Sequence, residues 1–249
     1  MKKKIIIRVV LGLVVLLVVG FVVLAFSLGA IVKKGVETVG PGATQTDVKL
    51  KSAQVWLFAG RAQLTGFFLG NPKGYKTESA VSVDDISVGV KPFSVFSDKL
   101  IVYKVKVKAP IITLEGGLTA NNLTKIEKNL NDYLNGSSPT ATGGTPPAKQ
   151  GKKLQVNDLE ITGAKLQVNT MLSAGKTVVL SIPDIHLTDL GTGPDGITPL
   201  EVAQKALHAE LEAAVTTLAK NAGELGLDAL KGGKGTAEKA AQSIKGLFQ

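Results

Sequence analysis

The side chains that usually carry chemistry are few and scattered along this chain. The two histidines, His186 and His208, have no cysteine or acidic partner at metal-ligand spacing. The pair Asp84-Asp85 lies on a predicted strand, where neighbours point to opposite faces and cannot act together. Asp184 and Asp189 flank His186, but no serine or cysteine lies in a nucleophile-elbow sequence. We therefore predict no catalytic residue, no metal ligand and no cofactor-binding residue.

A glycine-rich segment, residues 232–236, resembles a phosphate-binding loop only superficially. Asp228 occupies the position of the opening glycine, and Gly235 stands where serine or threonine would bind Mg²⁺. A flexible joint explains this segment better, so the chain is predicted not to be an enzyme.

Composition excludes further classes of function. The chain has no cysteine, which excludes a disulfide framework and a thiolate metal site. The formal net charge is +9, but no block of lysine and arginine stands among stacking aromatic residues. We therefore expect no nucleic-acid partner. Aromatic residues make up 5% of the chain, too few for a large aromatic-lined pocket.

The longest apolar stretch runs from Val9 to Val32 without a charge or a proline. As a helix it would be about 36 Å long, enough to cross a hydrocarbon core of about 30 Å. Three lysines and Arg8 precede it, which favours a cytoplasmic N-terminus. A cleaved signal peptide is the alternative, but the run is too long and lacks a clean cleavage site. The pattern predicts an uncleaved, single-pass signal anchor, with everything after residue 34 on the far side.

Strand-like alternation dominates the region that follows a neck ended by Gly40-Pro41-Gly42. Residues 47–57 and 62–69 predict a hairpin, and residues 80–91 predict another strand with a bulge at Asp84-Asp85. Residues 99–114 alternate over the longest distance, with apolar residues on one side and lysines on the other. This indicates a sheet with one dry face and one basic, wet face. The lysine row is either a solvated face or a contact for anionic lipid headgroups.

The remaining sequence predicts further helices and strands. A helix over residues 119–135 would pack on the sheet, and Thr198 would cap a helix that ends near Ala222. Pro183 should sit at a sheet edge or a bulge.

We predict an α+β fold, in which an N-terminal transmembrane helix precedes a mainly antiparallel, curved β-sheet with packed amphipathic helices. Its parts would be the cytoplasmic tip and anchor (1–34), a strand-rich region with a closing helix (35–135), a flexible linker (136–151), a second strand-rich region with a helix (152–222), and a tail with a short amphipathic helix (223–249) that docks on the sheet or lies on a membrane.

The order of several short motifs resembles the AsmA-like family of bacterial envelope proteins. The resemblance begins with the signal anchor and the neck. It continues through residues 64–75, which end in a small-Asn-Pro-x-Gly-aromatic turn around Asn71-Pro72. The later matches are Val83-Asp84-Asp85-Ile86, the strand of residues 101–109, residues 110–115 and Asn121-Asn122-Leu123.

The resemblance implies a sheet that curls into a hydrophobic trough, as in bridge-like lipid-transfer proteins. It also implies a place in the bacterial inner membrane, with the bulk of the chain in the periplasm, and a role in outer-membrane assembly or phospholipid homeostasis. Six or seven strands at about 4.8 Å spacing give about 30 Å of sheet, which is short for a bridge between two membranes. The turn at Asn71-Pro72 is also similar to that of the water-stress type of late-embryogenesis-abundant β-sandwich.

Two functional hypotheses follow. In the first, the dry sheet face holds phospholipid acyl chains or covers an envelope protein partner, unless it is simply the core beneath the helices. In the second, the chain is a membrane-tethered β-sandwich scaffold or stress protein that binds protein partners. The candidate residues for the dry face are Phe67, Phe68, Ile101, Tyr103, Val105 and Val107.

Overall fold

Three helices and nine strands make up the computed structural model, which describes residues 2–117, 119–137, 152–169 and 178–221. Within α1, the side chains of residues 2–10, 14–15 and 17–26 lie outside the description. The helices are α1 (Lys2–Thr44), α2 (Asn122–Leu134) and α3 (Pro199–Asn221). The strands are β1 (Val48–Trp56), β2 (Arg61–Gly70), β3 (Ser79–Val90), β4 (Lys99–Lys108), β5 (Ile111–Glu115), β6 (Lys153–Thr162), β7 (Lys165–Asn169), β8 (Val178–Ser181) and β9 (Ile185–Leu190).

All nine strands join one sheet. The antiparallel strands β1, β2 and β3 form one side, as the predicted hairpin requires. The two ends of β3 pair with β4 and β5, which in turn pair in parallel with β6 and β7. The outermost strands, β9 and β8, complete the sheet by antiparallel pairing. The sheet is therefore six strands wide. At each of the three positions beyond β3, the strand is interrupted and consists of two shorter ones: β4 and β5, β6 and β7, and β9 and β8.

The interruptions lie side by side across the sheet. Residues 99–114 are two strands rather than the predicted single one, because Ala109 has a φ of 45° and Pro110 cannot donate a ladder hydrogen bond. Pro183 separates β8 from β9 at the sheet edge, which confirms its predicted position. The backbone N–H of Gly163, between β6 and β7, donates to Asp184 at 2.9 Å. These breaks divide the sheet into two halves along its strands.

The predicted fold class is wrong. The sheet is mixed: six of its strand pairs are antiparallel, and two are parallel and join the first strand-rich region to the second. In the described part of the chain, no helix is long and apolar enough to cross a membrane, which overturns the predicted transmembrane helix. Val9 falls among the side chains outside the description. Val32 lies inside α1, which continues through charged Lys33, Lys34 and Glu37 to Thr44.

The neck prediction is also wrong, because α1 contains Pro41 and does not end before it. Tertiary packing outweighs the helix-breaking tendency here, since Ala43 is fully buried against Tyr133 and Leu130 of α2. The predicted cap is confirmed: the Thr198 hydroxyl accepts from the Glu201 N–H at 3.1 Å, and the Thr198 N–H donates to the Glu201 carboxylate at 2.7 Å. Asn121 caps α2 in a similar way, which was not predicted.

The helices cover only one half of the sheet fully. In that half, a row of apolar residues crosses six strands and packs against Leu123 and Ile126 of α2 and Leu211 and Leu218 of α3. The row consists of Val48, Leu69, Val81, Ile112, Leu166 and Leu180. This buried cluster supplies the rigid base from which the other half of the sheet projects.

The predicted linker lies almost wholly in residues 138–151, and the predicted tail lies in residues 223–249. Both are outside the described residues, as is the glycine-rich segment at 232–236.

Candidate functional site

Two uninterrupted rows of apolar residues cross the half of the sheet that contains β4, β6 and β9. One row is Val55, Ala62, Val88, Val105, Leu159 and Leu187; the other is Ala53, Leu64, Ile86, Val107, Ile161 and Ile185. Residues that pair across strands share a face, so the twelve side chains form one surface. We call its central six members the apolar floor: Ala62, Leu64, Ile86, Val88, Val105 and Val107.

The apolar floor is less covered than the next member of each row, on β6. Leu159 and Ile161 are 2% and 3% exposed and pack with Val202 and Ala206 of α3. All six floor residues are half-buried instead, as expected for side chains that touch their sheet neighbours but have no complete layer above them. The floor is therefore a continuation of a core cluster into a region that the described residues leave partly open.

Helix α1 borders the β1 side of this surface. It approaches so closely at Gly29 that an added Cβ would lie 2.1 Å from the carbonyl oxygen of Ala53. Its Glu37 accepts a hydrogen bond from the backbone N–H of Leu50 at 3.1 Å, and Lys33 donates to the carbonyl of Lys51 at 3.2 Å. These contacts satisfy backbone groups on the free edge of β1, which would otherwise invite another strand. With α3 at the opposite edge, the sheet floor has a helix on each side.

The structure distributes the six predicted face residues over both sides of the sheet. Val105 and Val107 belong to the apolar floor, whereas Phe67 packs against the buried cluster under α2 and α3. Phe68 lies two rows away on β2, beyond Gly66, with the Lys49 ammonium 5.6 Å from its ring centroid. Tyr103 is 50% exposed on the opposite face, across Gly89.

A register shift explains why these residues separate. The pairing of β3 with β4 slips between Gly89 and Val90, so Val102 joins Val105 and Val107 on the apolar face. Ile101 and Tyr103 then point the other way. Strict period-two alternation, which assigned Ile101 and Tyr103 to the dry face, does not hold through this bulge.

The face opposite the floor is a ladder of charges. Lys104 contacts Asp158 at 2.9 Å and Glu160 at 2.6 Å, Lys106 contacts Glu160 at 3.1 Å, and Lys108 contacts Asp85 at 3.3 Å. Hydrogen bonds from Lys104 lower the pKa of Asp158 and, with those from Lys106, the pKa of Glu160. The predicted lysine row is thus paired with carboxylates of neighbouring strands.

His186 also joins this ladder, although no acidic partner was predicted for it. Its Nε2 contacts Asp158 and lies 3.7 Å from Glu160, so three groups with metal-binding atoms converge. Lys104 and Lys106 bind the same carboxylates, so the three groups belong to a network of ion pairs. The parallel pairing of β4 with β6 creates it, and no local sequence pattern signals that pairing.

Sequence reasoning missed Ala62, Leu64, Ile86 and Val88 as members of the same surface as Val105. Their alternation was visible in residues 62–69 and 80–91, but the cross-strand register was not. No protein-family model and no curated protein matches this chain. The resemblance to the AsmA-like family therefore stays a prediction.

Proposed function

We propose that this protein is a non-catalytic, lipid-handling protein of the bacterial envelope, active on the periplasmic side of the inner membrane. Its apolar floor would hold the acyl chains of phospholipid during outer-membrane assembly or lipid homeostasis, as the resemblance to the AsmA-like family suggests. The observation that carries the proposal is the pair of apolar rows, twelve side chains without one polar group, of which the central six are only half-buried.

The chemistry of the floor suits an acyl chain. A chain lying on it needs no hydrogen bond, and the floor side chains offer none. Burying a methylene contributes about 0.8 kcal/mol, so ten half-buried methylenes would contribute on the order of 4 kcal/mol. From β2 to β4 the floor spans two strand spacings, about 10 Å, so it is wider than the side chains of a single strand.

Charge supports the assignment of the floor rather than the lysine row as the lipid-holding surface. The ammonium groups of Lys104, Lys106 and Lys108 are within 3.3 Å of carboxylates. A headgroup phosphate would have to displace these partners, whereas an acyl chain on the floor displaces only water.

Photo-crosslinking from adjacent residues of β3 tests the proposal directly. Val88 lies on the apolar floor, and its neighbour Ser87 lies on the charged face. A photoreactive phenylalanine analogue would be placed at either position in the full-length protein, reconstituted in vesicles that contain radiolabelled phospholipid. We expect several-fold more lipid adduct from Val88 than from Ser87, because only the first faces the bound chain.

Equal lipid labelling from the two positions would contradict lipid holding by this face. Adducts with protein instead of lipid at Val88 would favour the scaffold hypothesis. As a second test, Val88→Thr combined with Val105→Thr should reduce phospholipid bound in native mass spectra, because threonine keeps the β-branched shape but adds a hydroxyl. Val179→Thr with Ile111→Thr, exposed strand positions outside the floor, is the matched control.

A further inference from the structure

Three phenylalanines protrude from one end of the sheet. Phe58, Phe93 and Phe96 are 79%, 80% and 84% exposed. Phe58 lies in the turn between β1 and β2, and the other two lie in a short 3₁₀ helix, Pro92–Phe96, between β3 and β4. We call these three residues the aromatic tip. Rings this exposed keep a large apolar surface in water and often mark an interaction site.

The two loops of the aromatic tip form one surface. Gly60 has a φ of 57°, and its carbonyl accepts a hydrogen bond from the Val90 N–H at 2.7 Å. A Cβ at Gly60 would lie 2.2 Å from the Val90 carbonyl oxygen and 3.0 Å from Pro92, so no side chain fits between the loops. The loops are thus held together by backbone contact, which keeps the rings at the same end.

The 3₁₀ helix is anchored in a way that leaves its phenylalanines outside. Ser94 is 3% exposed, and its hydroxyl donates to the carbonyl of Lys91 at 2.6 Å and accepts from the Ile101 N–H at 3.0 Å. The small polar residue of this segment is therefore buried, and the large apolar ones on either side face water. This inverts the usual preference of these residue types.

Exposed cations flank the rings. Arg61 starts β2, Lys91 follows β3 and Lys152 precedes β6, all at this end of the sheet. Asp98 is the acid of the loop between β3 and β4, and Asp189 and Asp195 lie beyond it near the end of β9. Exposed rings with cations beside them match the interface of an anionic bilayer, where apolar groups insert and cations contact headgroups.

Helix α1 leaves the sheet at this same end. Gly40 packs against Val48 and Gly29 against Ala53, so α1 runs antiparallel to β1. The intervening eleven helical residues and five strand residues each cover about 16 Å. On this scale, helical residues before about 22 lie beyond Trp56, the last residue of β1.

That part of α1 adds more exposed apolar surface near the aromatic tip. Leu11, Leu13 and Leu16 are 62%, 59% and 71% exposed. A leucine-bearing helix segment and three phenylalanines from separate loops therefore point beyond the same end of the sheet. This continuity favours a lipid surface over a protein partner, because a bilayer accommodates separate apolar protrusions without a matching shape.

We propose that the aromatic tip docks into the interface of an anionic phospholipid bilayer. Phe93 and Phe96 insert among the upper acyl segments, and Arg61 and Lys91 contact headgroup phosphates. Docking orients the strands towards the bilayer and brings one end of the floor near its surface. The proposal concerns where the domain rests and holds whether or not the floor carries lipid.

Single-cysteine labelling tests the insertion, since the chain has no natural cysteine. Full-length Phe93→Cys and Phe96→Cys, each carrying an environment-sensitive fluorophore, would be reconstituted in vesicles with phosphatidylglycerol. We expect a blue shift and strong quenching by spin-labelled lipid at both positions. Asp98→Cys, at the same end but polar, should be quenched less, and Lys73→Cys, at the opposite end of β2 and β3, should not respond.

Quenching at Phe96 no stronger than at Asp98 would show mere proximity and overturn the insertion. A blue shift that needs no vesicles and grows with protein concentration would assign the tip to a second copy of the chain and also overturn it. In pure phosphatidylcholine vesicles, or with Arg61→Gln and Lys91→Gln, the quenching should fall several-fold. Unchanged quenching there would contradict the role of the cations.

Discussion

Replacing Asn122 with alanine should lower the free energy of unfolding by about 3 kcal/mol, because three hydrogen bonds of a fully buried side chain are lost and the Thr113 carbonyl stays buried without its partner. Asn122 is fully buried at the start of α2. Its Nδ2 donates to the Asn71 side chain and to the Thr113 carbonyl, both at 2.7 Å. Its Oδ1 accepts from the Glu115 N–H at 2.9 Å.

The position of Asn122 in the network explains why the expected effect is large. Asn71 donates onward to the carbonyl and hydroxyl of Thr77, both at 2.7 Å, and so closes the turn between β2 and β3. Glu115 accepts from the N–H groups of Thr77 and Lys76 at 2.8 Å. One side chain thus connects the turn, β5 and α2, whose ends are far apart in the sequence.

Urea unfolding followed by the fluorescence of Trp56, the sole tryptophan, would measure the loss. Asn157→Ala, at an exposed position of β6, is the matched control and should change stability by about 0.5 kcal/mol or less. Amide exchange of residues 71–77 should accelerate in the Asn122 variant alone. A loss below about 1 kcal/mol would mean that water or neighbouring groups replace the missing bonds.

The same network shows which parts of the fold were accessible from the sequence. Turn and cap signals are local, so the turn at Asn71-Pro72 and the cap at Thr198 could be predicted from neighbouring residues. The resemblance also grouped Asn71 with Asn122, but only the structure shows the 2.7 Å hydrogen bond between them. A hydrogen bond between residues 51 positions apart has no local signature in the sequence. It nevertheless gives a physical reason for an asparagine at both positions.

The candidate site was less accessible for a similar reason. Val105 and Val107 were predicted on a dry face because they alternate with lysines. Their partners Leu159 and Ile161 are 54 residues away, in a parallel pairing that needs a crossover through α2. The bulge at Gly89 then moved Tyr103 to the other face. Alternation defines which residues share a side within a strand, but register decides what stands beside them.

Glu210→Gln should stabilise the protein at pH 8 by up to about 3 kcal/mol and leave its stability at pH 4 nearly unchanged. Glu210 is 7% exposed on α3, and its Oε2 atom has no hydrogen-bond partner among the described residues. Burial raises the pKa of this carboxyl from 4.5 to about 7. Glutamine has nearly the same shape and carries no charge at any of these pH values.

The sign follows from proton binding in the two states. Below pH 4.5 the carboxyl is protonated in both folded and unfolded chains, so burial costs little. As the pH rises towards about 7, the unfolded chain releases the proton while the folded chain retains it, so stability falls. Above about pH 7 the full cost is present, and glutamine avoids it.

Urea unfolding of wild type and variant at pH 4, 6 and 8 would give the difference as a function of pH. Exposed Glu78→Gln is the matched control, for which we expect no such trend. Burial also raises the pKa of Glu127, which lies 2.8 Å from His208, but this carboxyl is common to both proteins. A difference that does not grow between pH 4 and pH 8 would contradict this cost. It would show that the α3 packing around Glu210 opens as the carboxyl ionises, so that the carboxylate reaches water or a cation.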